Sequence, residues 1–425
     1  MMPTGEAQAK VEVMVSSKSP DNVVIVGAGM VGLATAWFLQ ERGVKVTILD
    51  RTGVAAGSSW GNAGWLTPGL ATPLPEPAVL KYGIRAVLSP KSPVYVPVTT
   101  DRKLLRFLID FARHSTMPQW RKAMGALVPI NSLSLESFDR LHAGGVEAPT
   151  HEARSFIAAY KTVEDREVLL DEIKHIHAAG QGIEFETLTG DEARAIEPAL
   201  SGAIGAGIRL HDQRYINPSE YVASLADAVV ERGGRIVSGV SVGAIREKGD
   251  KVVVANQEYD TAVIASGAWL NDLARPFGVK TPVQAGRGYS FTVPMETVPT
   301  GPVYFPAQRV ACTPVGDRLR VAGMMEFRPA DANLDTRRID AIVEAARPLL
   351  TGADLDSRQD EWVGARPCTP DGLPLIGPTR SERVFVAGGH GMWGITLGPV
   401  TGRLLAETIT TRALPLELRP FDPLR

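Results

Sequence analysis

Apolar and polar positions first fall into a regular pattern at residue 23. Val23–Val26 is a short apolar run, a glycine turn follows, apolar residues recur at helical spacing to about Arg42, and a second apolar run spans Lys45–Leu49. Strand, turn, helix and strand in that order predict a βαβ unit. The run from Val23 to Leu39 carries no charge, but Gly27, Gly29 and Gly32 lie inside it, so the βαβ reading accounts for it better than a membrane span does.

Further along, prolines crowd the stretch from Pro68 to Pro97, which excludes long regular elements and suggests a connection between domains. Helical spacing returns in "DRKLLRFLIDFARHS", with Leu104, Leu105, Leu108 and Phe111 on one face, and in "VEDREVLLDEIKHIHAAG". A clear helix start follows at Asn217, with Pro218 in the first turn and Glu220 three residues after the cap. The β-branched runs "RIVSGVSVGAI", "KVVVA" and "TAVIASGAW" are expected to rejoin the sheet begun at Val23. The strands "GYSFTVP", "RVACTPV" and "RLRVAGMMEF" and the helix "DTRRIDAIVEAARPLL" suit an antiparallel sheet in a second domain. The chain then closes with "VFVAGG", a glycine-rich turn and a last helix.

At 425 residues the chain fits two domains, and 44% hydrophobic with 22% charged residues is ordinary for a globular protein. The net charge of -2, without a long basic cluster, argues against a nucleic-acid partner. Two cysteines, Cys312 and Cys368, give neither a disulfide framework nor a cysteine metal site and point to a reducing, cytoplasmic setting. Residues 1–20 lack a secretory core and read as a mobile tail, and no metal-ligand spacing stands out.

Chemistry enters with Gly27, Gly29 and Gly32. They form G-x-G-x-x-G between a strand and a helix, and Asp50 ends the next strand 18 residues after Gly32. The first glycine permits the turn, the second lets a pyrophosphate approach the backbone, and the third lets helix and strand pack. The helix start at Met30 and Val31 attracts the phosphates, and Asp50 accepts from a ribose. Asp50 fits NAD and FAD alike. Two later features favour the bulkier flavin: the small residues of "ASGAW", including Ala265, Gly267 and Trp269, and the second glycine turn "AGGHGMWGITLGP".

These residues, with "GNAGWLTPG", "GRGYSFTVP", "RLRVAGMMEF" and "GARPCTPDGLPLIG" in this order, resemble the FAD-dependent D-amino acid oxidase superfamily, and within it the bacterial D-amino acid dehydrogenases, from about Val23 to the C-terminus. The resemblance implies an α/β fold. A Rossmann-type FAD-binding domain (21–75, 201–275 and 363–425) interleaves with an α+β substrate-binding domain built on an antiparallel sheet (76–200 and 276–362). It implies that Arg51 flanks the adenine ribose and that Val242 reads adenine. Ser59, Asn62, Ala63 and Gly64 would lie beside the flavin, and the turn with Gly389, His390, Gly391, Gly394, Ile395, Thr396 and Leu397 would face its pyrimidine edge. Gly364 opens the G-x-R-P segment in which Arg366 would grip the substrate carboxylate bidentately. Tyr289 is a second candidate contact.

Other roles stand beside these. Arg366 could brace its loop by pairing with Asp371, and His390 could pack or bond the backbone rather than act chemically. Some amine-oxidising relatives attach flavin to a cysteine, but Cys368 lies closer to Pro370 and Asp371 than that residue does, so non-covalent FAD is expected. The cofactor would carry the chemistry: a D-amino acid loses hydride from Cα to the flavin, and the imine hydrolyses to a 2-oxo acid and ammonia. Electrons would pass to a quinone or other acceptor, which admits a peripheral position at the inner face of the cell membrane. The alternatives are an oxygen-using, peroxide-forming oxidase of glycine, sarcosine or D-hydroxyproline, and an electron-relay subunit inert by itself. The chain departs from the dehydrogenase pattern in its N-terminal tail, in "LATPLPEP", and in Arg287, where a lysine is usual.

Overall fold

The computed structural model describes residues 19–77, 92–97 and 99–425. Most of the expected tail and part of the proline-rich connection lie outside them.

Among the described residues the first large sheet has six strands. Asn22–Val26 lies between Lys45–Asp50 and Thr261–Ile264, with Arg235–Ser238 beyond one and Val384–Gly388 and Leu375–Pro378 beyond the other. Its pairings are parallel except in the last hairpin. Both faces are covered, so the strands can be apolar along their whole length. One face carries the helices Met30–Glu41, Pro218–Glu231 and Gly394–Thr411, whose Leu33, Trp37, Leu225, Val229 and Leu404 share a core. The other carries a three-stranded antiparallel sheet spanning Ile245–Tyr259.

That small sheet corrects one expectation. "KVVVA" does not rejoin the central sheet; its alternate residues Val252 and Val254 are buried and its neighbours half-buried, the pattern of an antiparallel strand with one covered face. The helix Arg102–His114 also differs from its reading, burying Leu104, Phe107 and Phe111 while leaving Leu105 42% exposed.

The second large sheet has nine strands among the described residues. Its main path runs Gln359–Cys368, Gln284–Pro294, Arg318–Glu326, Val310–Val315, Val303–Phe305, Phe156–Tyr160, Ala206–Leu210 and Phe185–Thr189, with Val94–Tyr95 paired to Arg318–Glu326. It is antiparallel apart from two parallel junctions, at Val303–Phe305 with Phe156–Tyr160 and at Val94–Tyr95. The expected division of the chain is crossed at several points, one of them within the strand Gln359–Cys368, whose residues from 363 on, expected with the nucleotide-binding part, belong to the larger sheet. Ala206–Leu210, expected with the nucleotide-binding part, completes this larger sheet. The helices Met117–Ser132 and Ser134–Ala143, expected with the substrate-binding part, pack Leu127, Ile130, Phe138 and Leu141 into the core of Trp37 and Leu404.

The pleat of the larger sheet decides which side chains reach the site. One face presents Tyr289, Phe291, Phe305 and Val321 to Ile339 and Ile342 of the helix Thr336–Ala346. Register places Tyr304, Thr313, Arg320, Ser290 and Arg366 on the opposite face. That face is tied to the 60–65 loop: Trp65 Nε1 donates to Thr313 Oγ1 (2.9 Å), Arg320 Nη1 to the Trp60 carbonyl (3.0 Å), and Ser290 Oγ to the Gly61 carbonyl (2.8 Å). Burial pulls the Arg320 guanidinium down to about 10, which marks how deep this junction lies.

Candidate cofactor and substrate site

A cavity of about 310 Å³ opens at the carboxyl ends of the central parallel strands, lined there by Val26, Leu49, Asp50, Ala265 and Gly388. This is where strand order reverses, since successive connections leave Asn22–Val26 on opposite sides. Gly27 makes the turn at φ +118°; a Cβ there would stand 2.4 Å from the Ala265 carbonyl oxygen. A Cβ on Gly32 would stand 2.0 Å from the Gly27 carbonyl oxygen, so this glycine sets the helix against the turn. Asp50 accepts from the amides of Ala28 (2.9 Å), Thr52 (2.8 Å) and Gly53 (2.9 Å), which fixes the carboxylate at the cavity wall.

Gly27, Gly29, Met30, Val31, Asp50, Arg51, Ser59, Asn62, Val242, Ala265, Gly267, Trp269, Arg366, His390, Gly391, Gly394 and Ile395 all line this one cavity. Ser59 Oγ accepts the Met30 amide at 3.2 Å. Arg51 stacks on Trp269, 3.5 Å from the ring centroid, and both bond to exposed Asp331 of the larger-sheet side, a bridge across the cavity mouth.

The remaining candidates sit behind the wall. Gly32 packs the helix as described, and Ala63 is half-buried without lining the cavity. The Gly64 amide donates to Asn62 Oδ1 (2.9 Å), and the Gly64 carbonyl accepts from the Ile216 amide. A Cβ on Gly364 would fall 2.0 Å from the Trp362 ring, so this glycine makes room for an indole rather than for a cofactor. Gly389 is buried against Thr369, Thr396 Oγ1 donates to the Trp65 carbonyl, and Leu397 belongs to the core.

His390 lines the cavity with its ring sealed at 4% exposure, its Nε2 2.9 Å from Thr401 Oγ1. Burial pushes its pKa down to about 4, so the ring is neutral at physiological pH. Cys368 is buried against Met325 away from the cavity, and burial pushes its thiol up to about 12.

Arg366 stands apart from the chain's other buried cations. Its guanidinium lies over Gly288, where a Cβ would fall 2.1 Å from Nη2. Nη1 donates to the Met324 carbonyl at 2.7 Å, and among the described residues no carboxylate pairs with it. Burial therefore pulls it below the ordinary arginine value without an opposing acid. Asp371 is engaged elsewhere, by the Arg425 guanidinium at 2.8 and 3.1 Å.

Tyr289 lies on the face of the larger sheet opposite to Arg366. Its hydroxyl donates to Glu326 Oε2 at 2.6 Å inside the second core, where Arg287, Arg328 and Arg338 surround the same carboxylate at 3.2–3.4 Å. Burial first, then Glu326, raises its pKa. Tyr304, which sequence reading passed over, lies on the site face because the single-residue alternation of its short strand could be phased only by knowing its partners.

A dinucleotide cleft reached by an arginine that pairs with no acid among the described residues fits one class of protein, an oxidoreductase that holds a nucleotide-bearing cofactor. The chain belongs to the FAD dependent oxidoreductase family, whose model matches residues 22–408. It is 30% identical over 407 residues to a D-amino acid dehydrogenase of Cereibacter sphaeroides, covering 93% of each chain. Its fold matches a glycine oxidase from Geobacillus kaustophilus with a TM-score of 0.71 at 24% identity, covering 96% of this chain and 99% of the other. It also matches a Mycoplasma pneumoniae L-alpha-glycerophosphate oxidase solved with FAD bound, with a TM-score of 0.70 at 18% identity, covering 92% and 95%.

The cleft fits FAD on its own chemistry. The turn at Gly27 leaves no room for a side chain, Asp50 is fixed at the wall, and Ser266 Oγ is buried at the cavity with no hydrogen-bond partner among the described residues, as a group awaiting a ligand would be. The enzyme is an FAD-dependent oxidoreductase. Among the described residues no helix is long and apolar enough to cross a membrane.

Proposed function

We propose that the enzyme oxidatively deaminates a D-amino acid to a 2-oxo acid and ammonia and passes the electrons to a quinone or another acceptor. The observation that carries this reading is Arg366: a guanidinium at the cofactor cavity whose only hydrogen bond among the described residues goes to a backbone carbonyl. Its remaining donors match the two oxygens of a carboxylate, and burial strengthens the pairing. Gly27, Gly29, Met30, Asp50 and Ser266 would hold FAD non-covalently, and FAD supplies the two-electron acceptor.

Arg366 orients the guest, and Pro367, Ile395 and Asn62, which line the same cavity, help to keep water from it. Neutral His390 bonds Thr401 and leaves the substrate amine its lone pair. Anaerobic mixing with a panel of D-amino, L-amino and N-methyl amino acids tests the reading through loss of flavin absorbance. D-amino acids are expected to bleach the enzyme fastest; bleaching by L-amino acids alone would overturn the stereochemistry, and rapid peroxide release in air would overturn the acceptor.

A further inference from the structure

We propose that Glu76 and Glu172 form the side-chain end of the substrate pocket and select amino acids that carry a second cationic group, a guanidinium or an ammonium. The inference rests on Arg366 being the carboxylate anchor.

The two glutamates stand on the site face of the larger sheet. Tyr304 pairs in register with Ala158, two residues from Tyr160, so both tyrosines project from the face that carries Arg366. Glu172 is close enough to both rings to act on them electrostatically, and it takes a hydrogen bond from Thr72. The Thr72 carbonyl receives Trp393 Nε1 at 2.8 Å, and Trp393 lies between the cavity residues Gly391 and Gly394. The acids are therefore one indole away from the cofactor cleft. On the opposite flank, Val310 pairs in register with Gly323, which sets its neighbour Arg309 close along the sheet to Met324, the residue that holds Arg366. Arg309 in turn interacts with both glutamates, and His175 with Glu76.

Two observations mark this as a place for a ligand. Tyr160 is only 2% exposed, yet its hydroxyl has no hydrogen-bond partner among the described residues. Glu76, Glu172, Tyr304 and Arg309 are half-buried rather than sealed. Among the described residues the charges there are two carboxylates against the Arg309 guanidinium, with His175 beside Glu76. Burial and Glu76 push Glu172 up to about 7, and burial raises Glu76 as well. A cationic side chain would relieve both acids, whereas an aliphatic one would bury them further.

The test compares D-lysine with D-norleucine, which has the same chain length and no second charge, by anaerobic flavin reduction in the wild type, Glu172→Gln and Glu76→Gln. The wild type is expected to favour D-lysine at least tenfold in kcat/KM. Each variant is expected to lose about 10- to 100-fold on D-lysine and to stay within about threefold on D-norleucine. The D-lysine to D-norleucine ratio should rise with pH through about 7 in the wild type and be flat in Glu172→Gln. The α-amine titrates in both substrates and cancels from the ratio. Equal or better use of D-norleucine by the wild type, or equal losses on both substrates in the variants, overturns the inference alone. Failure of every amino acid to reduce the flavin overturns the reading of Arg366 along with it.

Discussion

Arg366 donates from Nη1 to the carbonyl oxygen of Met324 at 2.7 Å, and Met324 holds that carbonyl in place from a left-handed backbone at φ +67°. The strand bulges here, the register with Gln284–Pro294 shifting between Arg287 and Tyr289. A non-glycine residue in this conformation costs roughly 1–3 kcal/mol and persists where the surroundings enforce it, commonly at sites of function. The bulge turns a ladder acceptor onto the guanidinium and leaves its other donors facing the cavity.

Replacing Arg366 by alanine should lower kcat/KM for the amino acid about 10²- to 10³-fold, the cost of two charge-assisted hydrogen bonds at roughly 1.5–3 kcal/mol each with partial overlap. Arg366→Lys keeps the charge and loses the planar fork, so its loss should be intermediate. Both variants should purify yellow, because nucleotide contacts lie at the other end of the cavity. Unchanged kinetics in Arg366→Ala would remove the anchor from the proposal.

Gly27→Ala should give a protein that folds poorly or purifies colourless. The added carbon would sit 2.4 Å from the Ala265 carbonyl oxygen at a φ of +118°, so the turn must open at the point where the cofactor phosphates approach. The ratio of flavin absorbance to protein absorbance checks this directly, and full flavin content would show that the turn yields more readily than its geometry implies.

The nucleotide half of the fold was legible in the chain because its signals are local. Gly27, Gly29, Gly32 and Asp50 declare a strand, a turn and a helix within thirty residues, and Arg366 stood out through its proline neighbour and the family resemblance. What was illegible depends on pairing between distant strands. Nothing near "KVVVA" reveals that it pairs with its own neighbours, and nothing near Ala206–Leu210 reveals that it crosses to the larger sheet. Tyr289 and Tyr304 read alike in sequence, yet register puts the first in the Glu326 core and the second on the site face. Glu172 lies on an amphipathic helix whose buried side was visible without any sign of what it covers.

Tyr289→Phe separates packing from chemistry. The hydroxyl donates to Glu326 at 2.6 Å within a fully buried cluster, so its removal should destabilise the fold by about 1–3 kcal/mol while kcat/KM stays within about threefold. Urea denaturation and steady-state kinetics on the same preparation provide both readings. A large kinetic loss with unchanged stability would restore Tyr289 to the substrate.

His390 makes stability depend on acid in a defined window. Its folded pKa, about 4, lies below the 6.5 of an exposed imidazole, because the sealed ring resists protonation. Above pH 6.5 the ring is neutral folded or unfolded and contributes no pH dependence. As pH falls below 6.5 the unfolded chain takes up a proton that the folded ring refuses, so stability declines towards about pH 4 and levels off below it. The whole decline from this group is of the order of 3 kcal/mol. His390→Gln keeps a donor for Thr401 Oγ1 and removes the titration, so its stability should fall less steeply than that of the wild type between pH 6.5 and 4. Denaturation midpoints at pH 7.5, 6 and 5 for the two proteins would show the curves converging as pH drops; parallel curves would mean that the ring takes up its proton in the folded enzyme as easily as in water.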